Sequence, residues 1–456
     1  MVDFGRETIA AIITPPGEGG IGAIRIAGPG SQKIIDKIFR PAHDNRFAPE
    51  PFRMYHGHII NKSSDVVDEV TTVFMPAGRS YTGQDQAEIF CHGGQYVLKR
   101  ILAVIFDHDV RPAEPGEFTR RAFLAGRIDL TRAEAVADLI ASKTEFAYSA
   151  ARHNLLGFYS ERLNNLRTRI IALLSEMEAA LDFPEEDFET TDRDRQIQAL
   201  KEIINEIKSL SESYRSGKII REGYHIAIAG RPNAGKSSLF NLLLNQNRAI
   251  IAPTPGTTRD YLTEWIDLGG VAVAITDTAG LRGRAGLIEK AGQETARRIL
   301  KDADLVIWIV DIARRRWREE LAGDLDEIPF SKDILIAINK IDKRQGFIND
   351  IEGAVAISCR NKTGLSHLKK TLLNGINIDM PDLTDRLVVT SERHRKKLDN
   401  CLKFLKKAEK GFKNIIPPEL IVSELRSGIN EIDEITGRIY NEEILEQIFS
   451  RFCIGK

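Results

Sequence analysis

The stretch "HIAIAGRPNAGKSSLFNLLL", His225 to Leu244, decides the architecture of the middle of this chain. A short apolar run, "HIAIAG", feeds a glycine-bearing turn, Gly230-Arg-Pro-Asn-Ala-Gly235-Lys236-Ser237, and then the apolar helical run "SLFNLLL". Strand, GxxxxGKS turn and helix in that order are the context a phosphate-binding loop requires. Its glycines let successive N–H groups converge on phosphate oxygens at a helix N-terminus. Asn233, Ala234, Gly235 and Ser238 line such a loop, Lys236 would reach the β and γ phosphates, and Ser237 would put its hydroxyl on Mg²⁺. One GxxxxGKS match can also be an ordinary βα turn, so its partners must decide.

The partners appear in order downstream. "DTAG", Asp277 to Gly280, follows the run "VAVAIT". It sets Asp277 to hold magnesium through water and Gly280 to sense a γ-phosphate through its N–H, with Thr278 and Ala279 between them. "NKID" follows "DILIAI", so Asn339, Lys340 and Asp342 sit at a strand end facing a base. A carboxylate at Asp342 accepts from guanine N1–H and N2–H₂, donors that adenine lacks there, and the nucleotide is therefore GTP. "SCR", Ser358, Cys359 and Arg360, fits the loop whose backbone N–H contacts the guanine carbonyl. Four motifs correctly ordered leave little room for a coincidental turn.

"PGTTRD", Pro255 to Asp260, lies where a switch would offer a threonine to Mg²⁺; Thr258 is the choice, with Thr257 beside it. Ras-type GTPases orient water with a Gln just after the glycine equivalent to Gly280, and Leu281 stands there here. An apolar side chain cannot do that work, so Arg282, Arg284 and Glu289 are the polar candidates.

The bulk numbers bound the rest. At 456 residues the chain is expected to hold two to four domains. Lys plus Arg (64) nearly cancels Asp plus Glu (65), so any nucleic-acid contact must use a local patch. Cys91, Cys359, Cys401 and Cys453 lack CxxC or Cys/His spacing, which argues against zinc or a disulfide framework and for a reducing, cytoplasmic setting. The N-terminus lacks the charge order of a secretory signal. The apolar runs stop short of the roughly 18 residues a membrane span needs, so no membrane association is expected.

Residues 1–120 mix β-rich runs such as "TIAAIIT", "GAIRIAG", "VTTVFM" and "AEIFCHGG" with Gly/Pro punctuation, an α/β pattern. Residues 121–220 show long helical periodicity, broken at the acidic turn "DFPEEDFETTDRDR". Residues 221–379 alternate strands and helices in the rhythm of a doubly wound parallel sheet. Residues 380–456 return to long helices. The fold class expected is thus multidomain α/β and all-α, with a Ras-like P-loop domain inserted into a discontinuous helical domain.

Taken together, "GRPNAGKSSLFN", "PGTTRD", "DTAGLR" with Glu289, "TPPGEGGIGAIRIAG", "YTGQDQAEIFCHGG", "PGEFTRRAFLAGRIDLTRAEAVADLI", "LDFPEED" and the terminal "FCIGK" resemble the MnmE family of tRNA-modifying GTPases, also called TrmE, over essentially the whole chain. The resemblance implies an N-terminal folate-binding domain (1–120), a helical domain built from 121–220 and 380–456, and a TrmE-type G domain (221–379). It implies that Glu289 positions the hydrolytic water and that K⁺ beside the phosphates supplies positive charge, with Asn233 and Thr257 as side-chain ligands and carbonyls of "IAPTPG", Ala252 and Thr254 among them, completing the site. A fixed cation there would stabilise charge developing in the transition state. Arg282 is carried over as a further catalytic candidate.

The resemblance further implies a homodimer whose G domains associate on binding GTP. It implies modification of C5 of the wobble uridine of certain tRNAs with an aminomethyl-type group. The one-carbon unit would come from a tetrahydrofolate derivative, in 5,10-methylene or 5-formyl form. The implied partner is the FAD-bearing flavoprotein MnmG (GidA), in a heterotetramer or larger complex. The folate pattern maps onto Arg25, Glu88, Arg127 and Lys456, where cations suit the glutamate carboxylates and a carboxylate suits the pterin amine. Arg127 replaces a Lys found in some relatives and changes the hydrogen-bond geometry. Cys453 reads as a buried structural thiol by default, and its place in "FCIGK" gives it a catalytic alternative.

"SERHRKKLDNCLKFLKKAEKGFK", Ser391 to Lys413, carries Leu398, Leu402 and Leu405 on one stripe with lysines around it, a solvated basic face or a phosphate contact. "RRRWRE", Arg314 to Glu319, reads as an exposed helix start. The competing function is a regulatory GTPase of ribosome assembly. The G domain alone does not separate the two; the absence of a KH-like GxxG module and the "FCIGK" terminus favour tRNA modification.

Overall fold

Along Ile21–Ala27 successive side chains take opposite faces: Ile24 and Ile26 are fully buried on one, while Arg25, partly buried between the small buried Ala23 and Ala27, points to the other. That period-2 pattern makes Ile21–Ala27 a strand of a sheet covered differently on its two sides. The computed structural model describes residues 7–43, 48–182, 190–246, 263–278, 297–326, 333–344, 351–376, 387–414 and 416–456. These divide into two units, one comprising 1–140, 154–203 and 403–456 and the other 141–153 and 204–402.

The first unit is built on seven strands: β1 (Thr8–Ile12), β2 (Ile21–Ala27), β3 (Phe39–Pro41), β4 (Met54–Ile60), β5 (Val66–Met75), β6 (Gln86–His92) and β7 (Val110–Pro112). Their order is β3-β4-β5-β6-β2-β1-β7, antiparallel throughout except for the parallel pair β1–β7. Helices Ser31–Ile38 and Gln95–Phe106 cover one face through Ile34, Ile35, Leu98 and Ile101, packed on Ile24, Ile26 and Ile89. Against the other face, Ala27 and Ile9 meet Phe118 of helix Glu117–Leu124. The helix Phe158–Asp182 packs with Pro418–Thr436, tied by the Arg167–Asp433 ion pair. Strands β3, β4 and β7 were not legible in the sequence, being short or rich in polar residues.

The second unit holds six strands: β8 (Tyr224–Gly230), β9 (Thr263–Leu268), β10 (Val271–Asp277), β11 (Leu305–Asp311), β12 (Asp333–Asn339) and β13 (Val355–Ala356). Their order is β13-β12-β11-β8-β10-β9. Five strands run parallel, as the alternating pattern implies, but β9 is an antiparallel edge strand on β10, a hairpin the sequence reading did not separate. Helix Lys236–Gln246 buries Leu239, Phe240 and Leu243, and burying each such side chain stabilises by roughly 1.5–3 kcal/mol. Chain order reverses across β8, with β10 on one side and β11 on the other, which is the switch point beyond whose strand carboxyl ends open α/β sheets bind ligands.

The basic helix spans Glu392–Asn414 and buries Leu398, Cys401 and Leu405, so its apolar stripe is packed. Among the described residues no helix is long and apolar enough to cross a membrane.

Candidate functional site: a phosphate-binding crevice and an arginine–carboxylate pair

The loop after β8 owes its shape to backbone that few residues adopt. Gly230 has φ +138° and Gly235 φ +110°, and between them Asn233, a non-glycine, stands at φ +63°. A Cβ at Gly235 would lie 2.2 Å from the Asn339 Nδ2, so no larger residue fits without moving that amide. Inside the loop the Lys236 ammonium donates to the carbonyls of Gly230 (2.9 Å) and Arg231 (3.0 Å) and is almost entirely buried. Ser237 Oγ donates to Asp277 Oδ2 at 2.8 Å, and Thr278 Oγ1 anchors the end of β10 to the Ile228 carbonyl at 2.8 Å. A hydroxyl beside a carboxylate is a pair of hard oxygen donors, which fits Mg²⁺.

Asn339 is the hinge between the loop after β8 and the segments "NKID" and "SCR". It is buried, its Nδ2 donates to the Ala234 carbonyl (2.8 Å), and its Oδ1 accepts from the N–H of Lys340 (2.8 Å) and of Cys359 (3.1 Å). One side chain thus joins the loops after β8, β12 and β13. Lys340, at φ +67°, sends its ammonium to the Asn233 carbonyl (2.7 Å) and to Asp311 Oδ2 (2.5 Å) at the end of β11. Asp342 is exposed and accepts from Ser358 Oγ at 2.5 Å. That hydrogen bond holds its carboxyl below the usual carboxylate range, with Arg360 and Lys343 adding charge. It is therefore ionised and accepting at neutral pH. Burial pushes the Cys359 thiol up to about 11, which leaves it a neutral packing group.

In the other unit, Arg25 of β2 lies directly across from Glu88 of β6, with Nε 2.9 Å from Oε1, both side chains about 15% exposed. The guanidinium sits over the rings of Tyr81 (5.3 Å) and Phe118 (5.4 Å). Gln86 Nε2 also donates to Glu88 Oε1 at 3.1 Å. The C-terminal residues fold against this same unit: the Phe118 N–H donates to the Lys456 carbonyl (3.1 Å), and Gly455, at φ +97°, passes so close to β1 that a Cβ would lie 2.3 Å from the Ile12 carbonyl. Arg127 donates to the Gly78 carbonyl at 2.9 Å and lies along Gly83, in the loop that carries Tyr81. A charged pair flanked by two aromatic rings suits a flat, polar-edged ring system.

The family model for the MnmE helical domain matches residues 130–453, and that for the GTP-binding protein TrmE N-terminus matches residues 8–127. The chain is 39% identical to the tRNA modification GTPase MnmE of Carboxydothermus hydrogenoformans over 99% of this chain and 100% of that protein. It is 38% identical to the protein so named in Thermoanaerobacter sp., over 99% of both. The chain belongs to the MnmE (TrmE) family. Among solved structures it is similar to the G domain of the T. maritima FeoB iron transporter, at 27% identity with a TM-score of 0.26, covering 33% of this chain and 98% of that one.

Of the residues named from the sequence, Asn339 joins Ala234, Lys340 and Cys359 and lies against Gly235, Lys340 also holds the Asn233 carbonyl, Ser237 is bonded to Asp277, Ser358 to Asp342, and Lys236 to carbonyls of its own loop, while Ser238, Thr278 and Arg360 adjoin these in sequence. Ala252, Thr254, Thr257, Thr258, Ala279, Gly280, Arg282, Arg284 and Glu289 lie outside the described residues. Arg25 and Glu88 touch, Lys456 reaches the helix whose Phe118 underlies Arg25, and Arg127 flanks the Tyr81 loop. Cys453 is exposed, so a buried structural thiol is the wrong description of it: the helix ends at Phe449 and the following turn carries residue 453 outward while Phe452 takes the buried place. Sequence reading missed Asp311, Tyr81, Phe118 and Gln86. Asp311 had a signal, since it closes the run "DLVIWIVD" at a strand end.

Proposed function

We propose that this chain is a GTP hydrolase acting in tRNA modification, and that its hydrolysis is potassium-dependent and coupled to modification of C5 of the wobble uridine. The observation that carries the nucleotide reading is Asn339, whose one amide ties the phosphate loop to both base loops. Lys236 would bind the β and γ phosphates, and Asp342 would accept from guanine. Mg²⁺, held through Ser237, Thr258 and the Asp277 carboxylate, would supply charge to the phosphate oxygens. Asn233 offers an exposed side-chain amide for K⁺, with its backbone fixed by Lys340; Ala252, Thr254 and Thr257 would complete that site, and Glu289 would orient water, with Arg282 nearby.

In the N-terminal unit, Arg25, Glu88, Arg127 and Lys456 would hold a tetrahydrofolate derivative that carries the one-carbon unit, and Tyr81 and Phe118 would bound its ring. The exposed Cys453 beside that unit's C-terminal tail is available to the modification chemistry. On this reading the protein is a cytoplasmic homodimer that acts with tRNA and with an FAD-bearing flavoprotein of the MnmG type. Near full-length likeness to proteins named for tRNA modification, N-terminal domain included, favours this over ribosome assembly.

The test is GTP hydrolysis in potassium and in sodium at equal ionic strength, for the parent chain and Glu289→Ala. Potassium should accelerate the parent strongly, and the variant should lose that acceleration while still binding GTP. Equal parent rates in both salts would refute the cation-assisted mechanism.

A further inference from the structure

The segment "RRRWRE" is not simply an exposed helix start. Helix Trp317–Asp326 buries Trp317 and Leu321, and Arg314 Nη1 donates to Glu320 Oε2 at 2.9 Å. Glu320 and Asp324, one turn apart, stand on a common face of this helix. That face meets Arg231, the residue after Gly230 in the phosphate-binding loop. Both Asp324 carboxylate oxygens accept from Arg231 Nε at 3.0 Å, and Oδ1 lies 2.8 Å from Nη2. Glu320 adds an oxygen 3.6 Å from Nη1 and its own carbonyl 3.4 Å from Nη2. A planar guanidinium gripped this way has its orientation set, as a lysine ammonium would not.

Arg231 also has a second role through its backbone, since its carbonyl accepts from the Lys236 ammonium. The side chain of one residue is therefore clamped to a helix while its carbonyl locates the phosphate-binding lysine. We propose that Asp324, seconded by Glu320, is a positioning residue for the phosphate loop. It acts through Arg231 to hold Lys236 where nucleotide phosphates bind. This rests on the reading of the crevice as a nucleotide site. Lys236 would contact phosphate already in the ground state, so loosening it weakens nucleotide binding, and any lost transition-state stabilisation lowers kcat in addition.

The experiment uses the full chain with Asp324→Ala and the shape-conserving Asp324→Asn, the latter remaining informative where the former fails to fold. Release of a fluorescent GDP analogue is followed by stopped flow, KM and kcat for GTP are measured in potassium buffer, and the thermal midpoint is taken without nucleotide. The expected result is a rise of about tenfold in release rate and in KM, with kcat equal to or below that of the parent. Release and KM both within about twofold of the parent would overturn the proposal, and so would a lowered thermal midpoint with unchanged release, which marks a merely structural ion pair. The parent's own binding is measured first. A parent that ignores guanine nucleotides but binds a fluorescent ADP analogue would sink the guanine reading, and the same release comparison, made with that analogue, would then decide the role of Asp324 separately.

Discussion

Asn339→Ala is the sharpest test of the crevice, because one side chain makes three hydrogen bonds to three different loops while only 2% exposed. A buried hydrogen bond contributes about 1 kcal/mol net, so the substitution should remove about 3 kcal/mol in all. That sum divides between nucleotide affinity and the stability of the nucleotide-free chain. Every 1.4 kcal/mol lost from binding is about tenfold in Kd. Titration with a fluorescent GDP analogue reads the first share, and urea unfolding of the nucleotide-free protein reads the second. Gly235→Ala should reach the same contact from the other side, since its Cβ would lie 2.2 Å from the Asn339 amide at a backbone φ of +110°. Because both changes break one arrangement, the double variant should lose less than the sum of the singles. A combined loss below about 1 kcal/mol for Asn339→Ala, or strictly additive effects, would refute the hinge role.

Glu117 is 1% exposed and is held by Arg111 (2.7 Å) and Arg121 (2.8 Å). Burial alone would raise its pKa, but the hydrogen bonds from Arg111 and from the Glu114 N–H, with the charge of Arg121, outweigh it and leave the carboxyl below its ordinary 4.5. A carboxyl depressed on folding contributes stability above its unfolded pKa, and that contribution is lost as pH falls from about 4.5 through the lower folded value. The urea midpoint of the parent should fall across that window, and in Glu117→Gln, destabilised by about 3–5 kcal/mol at neutral pH, that component should vanish. Gly455→Ala should weaken binding of a tetrahydrofolate derivative by at least about tenfold, because its Cβ meets the Ile12 carbonyl and the backbone there is left-handed. GDP affinity should be unchanged, both measured by calorimetric titration; unaltered folate affinity would sever the tail from that site.

The G domain was legible because its motifs are local. A phosphate loop is one strand end and one helix start, so "GRPNAGKS" carries its own geometry, and the βα rhythm placed Asp277, Asn339 and Ser358 at the carboxyl ends of strands. The N-terminal cluster was legible only through family resemblance. Arg25 and Glu88 lie in different strands, and their meeting depends on the register of β2 against β6, which no local pattern specifies. Tyr81 and Phe118 come from a loop and a helix and went unread for the same reason.

By itself, the sequence determined the identity of the elements: an apolar run before a turn becomes β8, and four ordered motifs fall at or just beyond the carboxyl ends of strands, because backbone propensity and motif chemistry act over a few residues. Tertiary structure decided what joins them. That one buried amide links three loops, that Asp324 grips Arg231 across 93 residues of chain, and that Lys456 ends under the helix bearing Phe118 all follow from packing between distant segments. Such contacts form only when burial of the two cores has brought those segments together, and no spacing along the chain announces them.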